Sequence, residues 1–182
     1  KESCLFLFSR VIAEGTTDTA ALPGESLEQF VQFASECQQD QNPLLRSRAI
    51  LAAASVTRSL SSRIDRDKVK VPLFEATLNA ALSDPNDTVR ISGVIAIPKY
   101  CNDLPQEYFE AKEAALYQAI YLMSEKAQDD TPAILAEVLV AIIERDISRA
   151  ARNTDVVKLV YKLVAKDPTN VMLTNEVQDI MA

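Results

Sequence analysis

Asp40-Gln-Asn-Pro-Leu-Leu-Arg46 and Asp84-Pro-Asn-Asp-Thr-Val-Arg90 are two copies of one phrase. In each, an acid stands six residues before an arginine, and a stretch of apolar residues at helical spacing follows. Weaker copies stand at Asp130-Thr-Pro132 and Asp167-Pro168, each opening another apolar stretch. Taking the helix caps as Asn42, Asp87, Thr131 and Asp167, the intervals are 45, 44 and 36 residues. An oxygen-bearing cap followed by proline or a short acid marks the start of a helix, because proline's missing N–H costs nothing in the first turn. A helix start that returns every 36 to 45 residues describes helical pairs laid side by side.

A period in that range is the mark of HEAT-type repeats. The expected fold is therefore all-α: an α-α superhelix, or HEAT-repeat solenoid, of roughly nine antiparallel helices in about four to five repeats. The second helices of the repeats are expected to start near residues 43, 88, 132 and 168. Apolar residues at steps of three and four support this along the chain. The spacing predicts a first helix from the very start, with Leu5, Phe8 and Ile12 on one face. A Thr-rich loop over Gly15 to Gly24 precedes a second helix, Ser26 to Gln38, striped by Leu27, Phe30, Val31 and Ala34. The third runs from Pro43 to about Ser62, and its Ala49, Ala52, Ala53 and Ala54 allow a neighbour's backbone to come close.

The fourth helix begins somewhere between Asp67 and Val71 and turns Phe74, Leu78 and Ala81 inward. The fifth follows Asp87 and carries Val89, Val94, Ile95 and Ile97, and Pro98 should kink or end it. Pro105 opens the sixth, with Phe109, Leu116, Ile120 and Met123 inside. Thr131 caps the seventh, which buries Leu135, Val138, Leu139 and Ile142. Thr154 caps the eighth, and Asp167-Pro168 leads into the ninth. No boundary separates two domains, so residues 1–182 read as one repeat segment. Its abrupt start inside a helix suggests a piece of a longer stack.

Composition agrees. Among 182 residues, 48% are hydrophobic, which is ample for a core, and only three are glycine, too few for a β-rich fold with its tight turns. Aromatic content of 6% without tryptophan argues against stacking platforms for single-stranded nucleic acid. The net charge of −7 disfavours phosphate backbones and favours a basic partner or plain solubility. The charge is banded: six acids and no base from Val11 to Leu45, seven bases and two acids from Arg46 to Lys70, nine acids and two bases from Tyr100 to Glu144. Cys4, Cys37 and Cys101 are odd in number and far apart, which suits buried thiols rather than disulfides. No run is long enough to span a bilayer.

Chemistry lacks its parts. There is no histidine, no C-x-x-C and no glycine-rich phosphate loop. Carboxylate pairs such as Asp129-Asp130 or Glu107 with Glu110 read as solvated charge, and Tyr117 with Tyr121 as packing. No catalytic residue, metal or cofactor is expected, and the chain reads as a binding scaffold rather than an enzyme. Asp40, Arg46, Asp84 and Arg90 have a structural use: a carboxylate in the turn caps backbone N–H groups and meets the arginine of its own or the next repeat, as a ladder along one side. Polar stripes are expected on the fifth helix (Ser92, Lys99, Asp103) and on the seventh (Glu137, Ala141, Glu144, Ser148). Of these, Asp103, Glu137 and Glu144 are the candidates to meet lysine or arginine of a partner, against the plainer reading of solvated faces.

The phrase D-P-x-x-x-V-R-I-S-x-V-x-A-I-x-x-Y-C-x-x-L, here Asp84 to Leu104, resembles the HEAT repeats of the importin-beta superfamily of nuclear transport receptors (karyopherins). Lys1-Glu-Ser-Cys-Leu5, Leu45-Arg-Ser-Arg-Ala49 with Ser55-Val-Thr-Arg58, and Val177-Gln-Asp-Ile180 follow in the same order and are similar to its importin-nine group. Pro98-Lys99 departs from the pattern, where the family tends to carry a bulky aromatic and a small residue. The resemblance implies a central segment of a receptor that binds basic cargo on an acidic face and releases it to Ran-GTP. It implies histones or the TATA-binding protein as cargo, nucleoporins as further partners, no direct nucleic-acid or membrane contact, and shuttling between cytoplasm and nucleus. The alternative is a HEAT scaffold of an unrelated phosphatase, coat or chromosome-organising assembly.

Overall fold

The computed structural model describes residues 1–13, 23–59, 61–128, 130–166 and 168–169. Among them every regular element is helical and there is no strand. The chain divides into two compact units, Lys1–Pro105 and Gln106–Ala182. The first holds α1 (Glu2–Ala13), α2 (Gly24–Cys37), α3 (Pro43–Ser59), α4 (Val71–Ser83), α5 (Asp87–Ala96) and α6 (Pro98–Cys101). The second holds α7 (Gln106–Lys126), α8 (Thr131–Ile143), α9 (Ile147–Ala150) and α10 (Thr154–Lys166). Most of the loop read at 15–24, the cap at Asp167 and the ninth helix expected after it lie outside the described residues.

In the first unit, α3 is the central helix. It packs against α1 on one side and α5 on the other, while α4 lies against α5. Ala49, Ala52, Ala53 and Ala54 are all buried, so neighbouring helices approach its backbone closely. Leu5 and Ile12 of α1 and Val89 and Val94 of α5 fill the spaces. Phe8 stacks on Phe30 of α2 with ring centroids 4.2 Å apart. Phe74 of α4 meets Tyr100 of α6 edge-on at 5.9 Å. The α4–α5 approach is tightest at Gly93, where a Cβ would sit 2.9 Å from both the backbone nitrogen and the Cβ of Ala81. Glycine costs a helix interior about 1 kcal/mol relative to alanine, so its place here is a packing requirement.

Two breaks follow from proline and from the entry to α4. Pro98 has no N–H to continue the ladder of α5, and α5 stops at Ala96; Ile97 turns the chain and α6 restarts at Pro98. Before α4, the backbone makes a wider π-type turn over Arg66–Lys70, with Asp65 Oδ1 accepting from the Lys68 N–H at 2.7 Å. Pro72 then falls in the first turn of α4. α3 ends at Ser59, short of the expected Ser62, and a 3₁₀ turn covers Ser61–Arg63.

In the second unit, α7, α8 and α10 pack around one core. α7 contributes Phe109, Leu116, Ile120 and Met123, α8 contributes Leu135, Val138, Leu139 and Ile142, and α10 contributes Val156, Leu159 and Leu163, all buried. α8 is buried over most of its circumference. It ends at Ile143, so Ser148, expected on the same helix, belongs to α9 instead.

Adding a methyl at position 93 tests the close approach. Overpacking costs roughly 1–3 kcal/mol, and alanine's better propensity returns at most about 1 kcal/mol. Gly93→Ala is therefore expected to unfold at lower urea concentration than the parent chain; an unchanged or higher midpoint would show that α4 and α5 have slack.

Candidate protein-binding surface

The repeated phrase builds the same turn twice. At the first, Asp40 Oδ1 accepts from the Asn42 N–H at 2.9 Å, and Asn42 Oδ1 accepts from the Leu44 N–H at 3.0 Å. At the second, Asp84 Oδ1 accepts from the Asn86 N–H at 2.8 Å, and Asn86 Oδ1 accepts from the Thr88 N–H at 2.9 Å. The asparagine is thus the cap in both, which corrects the assignment of Asp87 as cap: Asp87 is the first residue of α5. Similarly, Asn153 rather than Thr154 accepts the first free N–H of α10, from Asp155 at 3.0 Å. At α8 the cap position is Asp130, with no side-chain capping bond, and Thr131 is already helical. The error has one cause: the residue after the cap is also polar, and the residue pattern alone leaves the frame open by one.

The two turns are clasped together. Arg46 donates from Nε to Asp84 Oδ2 at 2.9 Å and from Nη2 to Asp84 Oδ1 at 2.8 Å. Its Nη1 donates to the carbonyl oxygens of Asp40 and Gln41, at 2.9 and 3.1 Å. One guanidinium therefore ties its own turn to that of the following repeat. Burial opposes ionisation of Asp84, but the Arg46 and Asn86 hydrogen bonds outweigh it and hold the carboxyl below its ordinary range. Asp40 is also held low, by the Asn42 N–H and by Lys1, whose Nζ lies 3.2 Å away. Arg90 turns inward, with Nε 3.4 Å from the Ala81 carbonyl and Nη1 3.6 Å from Asp87.

The stripe read as solvated on the fifth helix is an internal seam. Ser92 is buried and its hydroxyl donates to the Thr88 carbonyl at 2.8 Å, so Ser47 of α3 donates across the 2.7 Å gap to Ser92. Lys99 Nζ lies 2.6 Å from Ser55 Oγ of α3, and burial pushes its pKa down, aided by repulsion from Arg58. Asp103 is one-fifth exposed and sits 3.5 Å from Nζ of the buried Lys70. Ser92 and Lys99 thus join the next repeat to α3, while Asp103, in the turn after α6, pairs with Lys70 at the entry to α4.

In the second unit, Glu137 and Glu144 are both exposed. They stand seven residues apart at two helical turns, roughly 10 Å along the α8 axis. Glu137 is the one ionisable residue within α8, and Glu144 is at its C-cap. Close by in sequence is a network that residue reasoning missed. Arg149 donates from Nε to Glu113 at 2.6 Å and from Nη1 to Glu110 at 2.8 Å. The buried Tyr117 hydroxyl donates to Glu113 at 3.0 Å, and burial first, then the adjacent carboxylate, pushes the phenol above its usual range. The available signal was Glu110 and Glu113 three apart on one helix, though nothing in the residue order marked Arg149 as their partner.

Helical pairs, a shared turn and a guanidinium crossing from one repeat to the next are the anatomy of a HEAT stack. Residues 1–167 match the family described as Importin-9 central HEAT repeats. This chain belongs to that family. No curated protein matches it. Membership in the importin-9 central-repeat family makes the chain a karyopherin-like HEAT-repeat segment, of a family whose partners are proteins. Among the described residues no cluster suits a metal ion, and no helix is long and apolar enough to cross a membrane. Cys37 and Cys101 are buried and Cys4 is exposed.

Removing one member of a largely buried pair leaves the other charge without its partner, which costs about 3 kcal/mol. Arg46→Ala is expected to lose stability on that scale, measured by urea unfolding at pH 7. The pH dependence has a definite sign. Because the folded carboxyl of Asp84 titrates below the unfolded one, its contribution is present above the ordinary carboxylate range and disappears as pH falls through that range towards its depressed value. The stability gap between the parent chain and Asp84→Asn should therefore be wide at neutral pH and shrink in acid. A gap independent of pH would remove ionisation from the account.

Proposed function

We propose that this chain is a protein-binding segment of a nuclear import receptor that carries basic cargo, histones or the TATA-binding protein, through the nuclear pore under Ran-GTP control. The match over residues 1–167 to Importin-9 central HEAT repeats carries the reading. The net charge of −7 supports it, since a basic cargo meets an attractive field. Of the three acids singled out in the sequence, Asp103 is engaged with Lys70, whereas Glu137 and Glu144 are exposed and lie along one helix. These two are the residues proposed to meet lysine and arginine of the cargo. Ran-GTP and nucleoporins are the further partners of the whole receptor, which moves between cytoplasm and nucleus. The scaffold works by holding partners and performs no catalysis.

The test is a pull-down by the full-length receptor with histone dimers, with and without Ran-GTP, at about 0.15 M salt or above so that loose attraction to acidic surface is screened. Binding that Ran-GTP reverses is the expected result. Binding of neither partner would leave a HEAT scaffold of another assembly as the reading. Reversing both charges, Glu137→Lys with Glu144→Lys, should weaken histone binding about three- to tenfold at that salt, and more as the salt is lowered. An unchanged affinity would move the cargo site elsewhere.

A further inference from the structure

Lys99 is half-buried and Arg58 is exposed, and among the described residues no carboxylate pairs with either. The acids close to them in sequence are committed elsewhere. Asp103 lies 3.5 Å from Lys70, Asp67 lies 2.9 Å from Arg66, and Asp65 accepts from the Lys68 N–H at 2.7 Å. Lys99 Nζ meets Ser55 Oγ at 2.6 Å, in a contact that is part-buried where the Ser47–Ser92 bond is buried. The Ser55 hydroxyl gives its own proton to the Leu51 carbonyl at 2.9 Å. It therefore accepts from Lys99 and leaves two of the three ammonium N–H groups unspent. The charge that acts on Lys99 is Arg58, a second cation, and burial and this repulsion together push the lysine pKa down. A charge taken part-way out of water is normally paired.

These groups form one strip. Leu51, Ser55 and Arg58 follow along α3 at steps of four and three, and Ser92, Ile95 and Lys99 follow along α5 and α6 at steps of three and four. The Ser47–Ser92 and Ser55–Lys99 contacts set the two rows side by side. Leu51 and Ile95 fall between those contacts, and both are partly exposed. Two cations without a counter-charge thus border a small apolar patch.

We propose that this strip docks an acidic segment of a partner protein, with neighbouring carboxylates on Lys99 and Arg58 and an apolar side chain on Leu51 and Ile95. The net charge of −7 repels such a segment at long range. At about 0.15 M salt, however, the field of exposed charges fades within about 8 Å, so the local pair decides. Carboxylates suit the site better than a phosphate. The desolvation cost of an ion rises with the square of its charge, and two carboxylates spread what a dianion concentrates. A nucleic-acid backbone has no apolar group for Leu51 and Ile95 and needs many more cations than two. The strip is opposite in charge to Glu137 and Glu144 and does not depend on a basic cargo.

Fluorescein-labelled peptides titrated against the full chain at about 0.15 M salt test it by fluorescence polarisation. The probes carry a central Leu-Glu-Glu, the same peptide with both glutamates replaced by glutamine, lysine or phosphoserine, and a single-stranded oligothymidylate. The glutamate peptide is expected to bind, and the glutamine and lysine peptides are not. Lys99→Gln and Arg58→Gln should each weaken binding about three- to tenfold, Lys99→Arg should retain most of it, and serine for the peptide's leucine should weaken it as well. Arg58→Gln should melt no lower than the parent chain, which separates lost binding from lost folding. The Lys99 side-chain NMR signal should titrate at higher pH in the complex than in the free chain, because a bound carboxylate favours the ammonium form. The proposal is overturned if the glutamine peptide binds as well as the glutamate peptide, or if neither cation variant weakens binding. It is equally overturned if the glutamate peptide fails to bind, whether or not the phosphoserine peptide or the oligonucleotide does, or if serine for leucine changes nothing.

Discussion

α3 has apolar or small residues over most of its surface, and it leaves water only if a helix lies on each side. α1 and α5 fill those places. This constraint organises the first unit. Burial of Ala49, Ala52, Ala53 and Ala54 requires close neighbours, because a short side chain cannot reach across a wide gap. Gly93 supplies the same closeness one layer further on, where α5 meets Ala81 of α4. Each helix is stable because of what lies beside it, and for that reason stacked repeats behave as a series of neighbour terms.

Polar groups set the register of that series. The Arg46–Asp84 clasp, the Ser47–Ser92 hydrogen bond and the Lys99–Ser55 contact all link α3 and its turn to the following repeat. Apolar surface attracts without direction and would permit helices to slide by a turn. A bidentate guanidinium pair does not, since both bonds fail together when the turns shift. The tight packing and the polar seam therefore divide the work: one supplies the driving force and the other the alignment.

The legible parts of the sequence were those set by local chemistry. Asn-Pro after an acid announced the start of α3, and Pro98 announced the end of α5, because a cap and a missing N–H act within one turn. The stripes on α4, α7 and α8 emerged as buried faces because helical periodicity survives any tertiary context. The frame of three later caps slipped by one, since two adjacent polar residues both satisfy the pattern and only the backbone shows which one bends. Ser92 and Lys99 were read as solvent-facing because polarity in a sequence does not tell water from a polar neighbour. The pairing of Arg149 with Glu110 and Glu113 was not legible either, since the arginine lies 36 to 39 residues from the two acids.

By itself, then, the sequence determined the all-α class, the helix starts at Pro43 and close to residues 88 and 132, and through its motifs the family, because each of these is written in short-range spacing and residue type. Tertiary structure alone decided that Arg46 reaches Asp84, that Asp103 serves Lys70, that Glu137 and Glu144 stay in solvent, and that Gln38 is buried with an unpaired donor. Those outcomes depend on which helices lie side by side. A charge takes its role from the group some forty residues away that packing brings within about 3 Å of it.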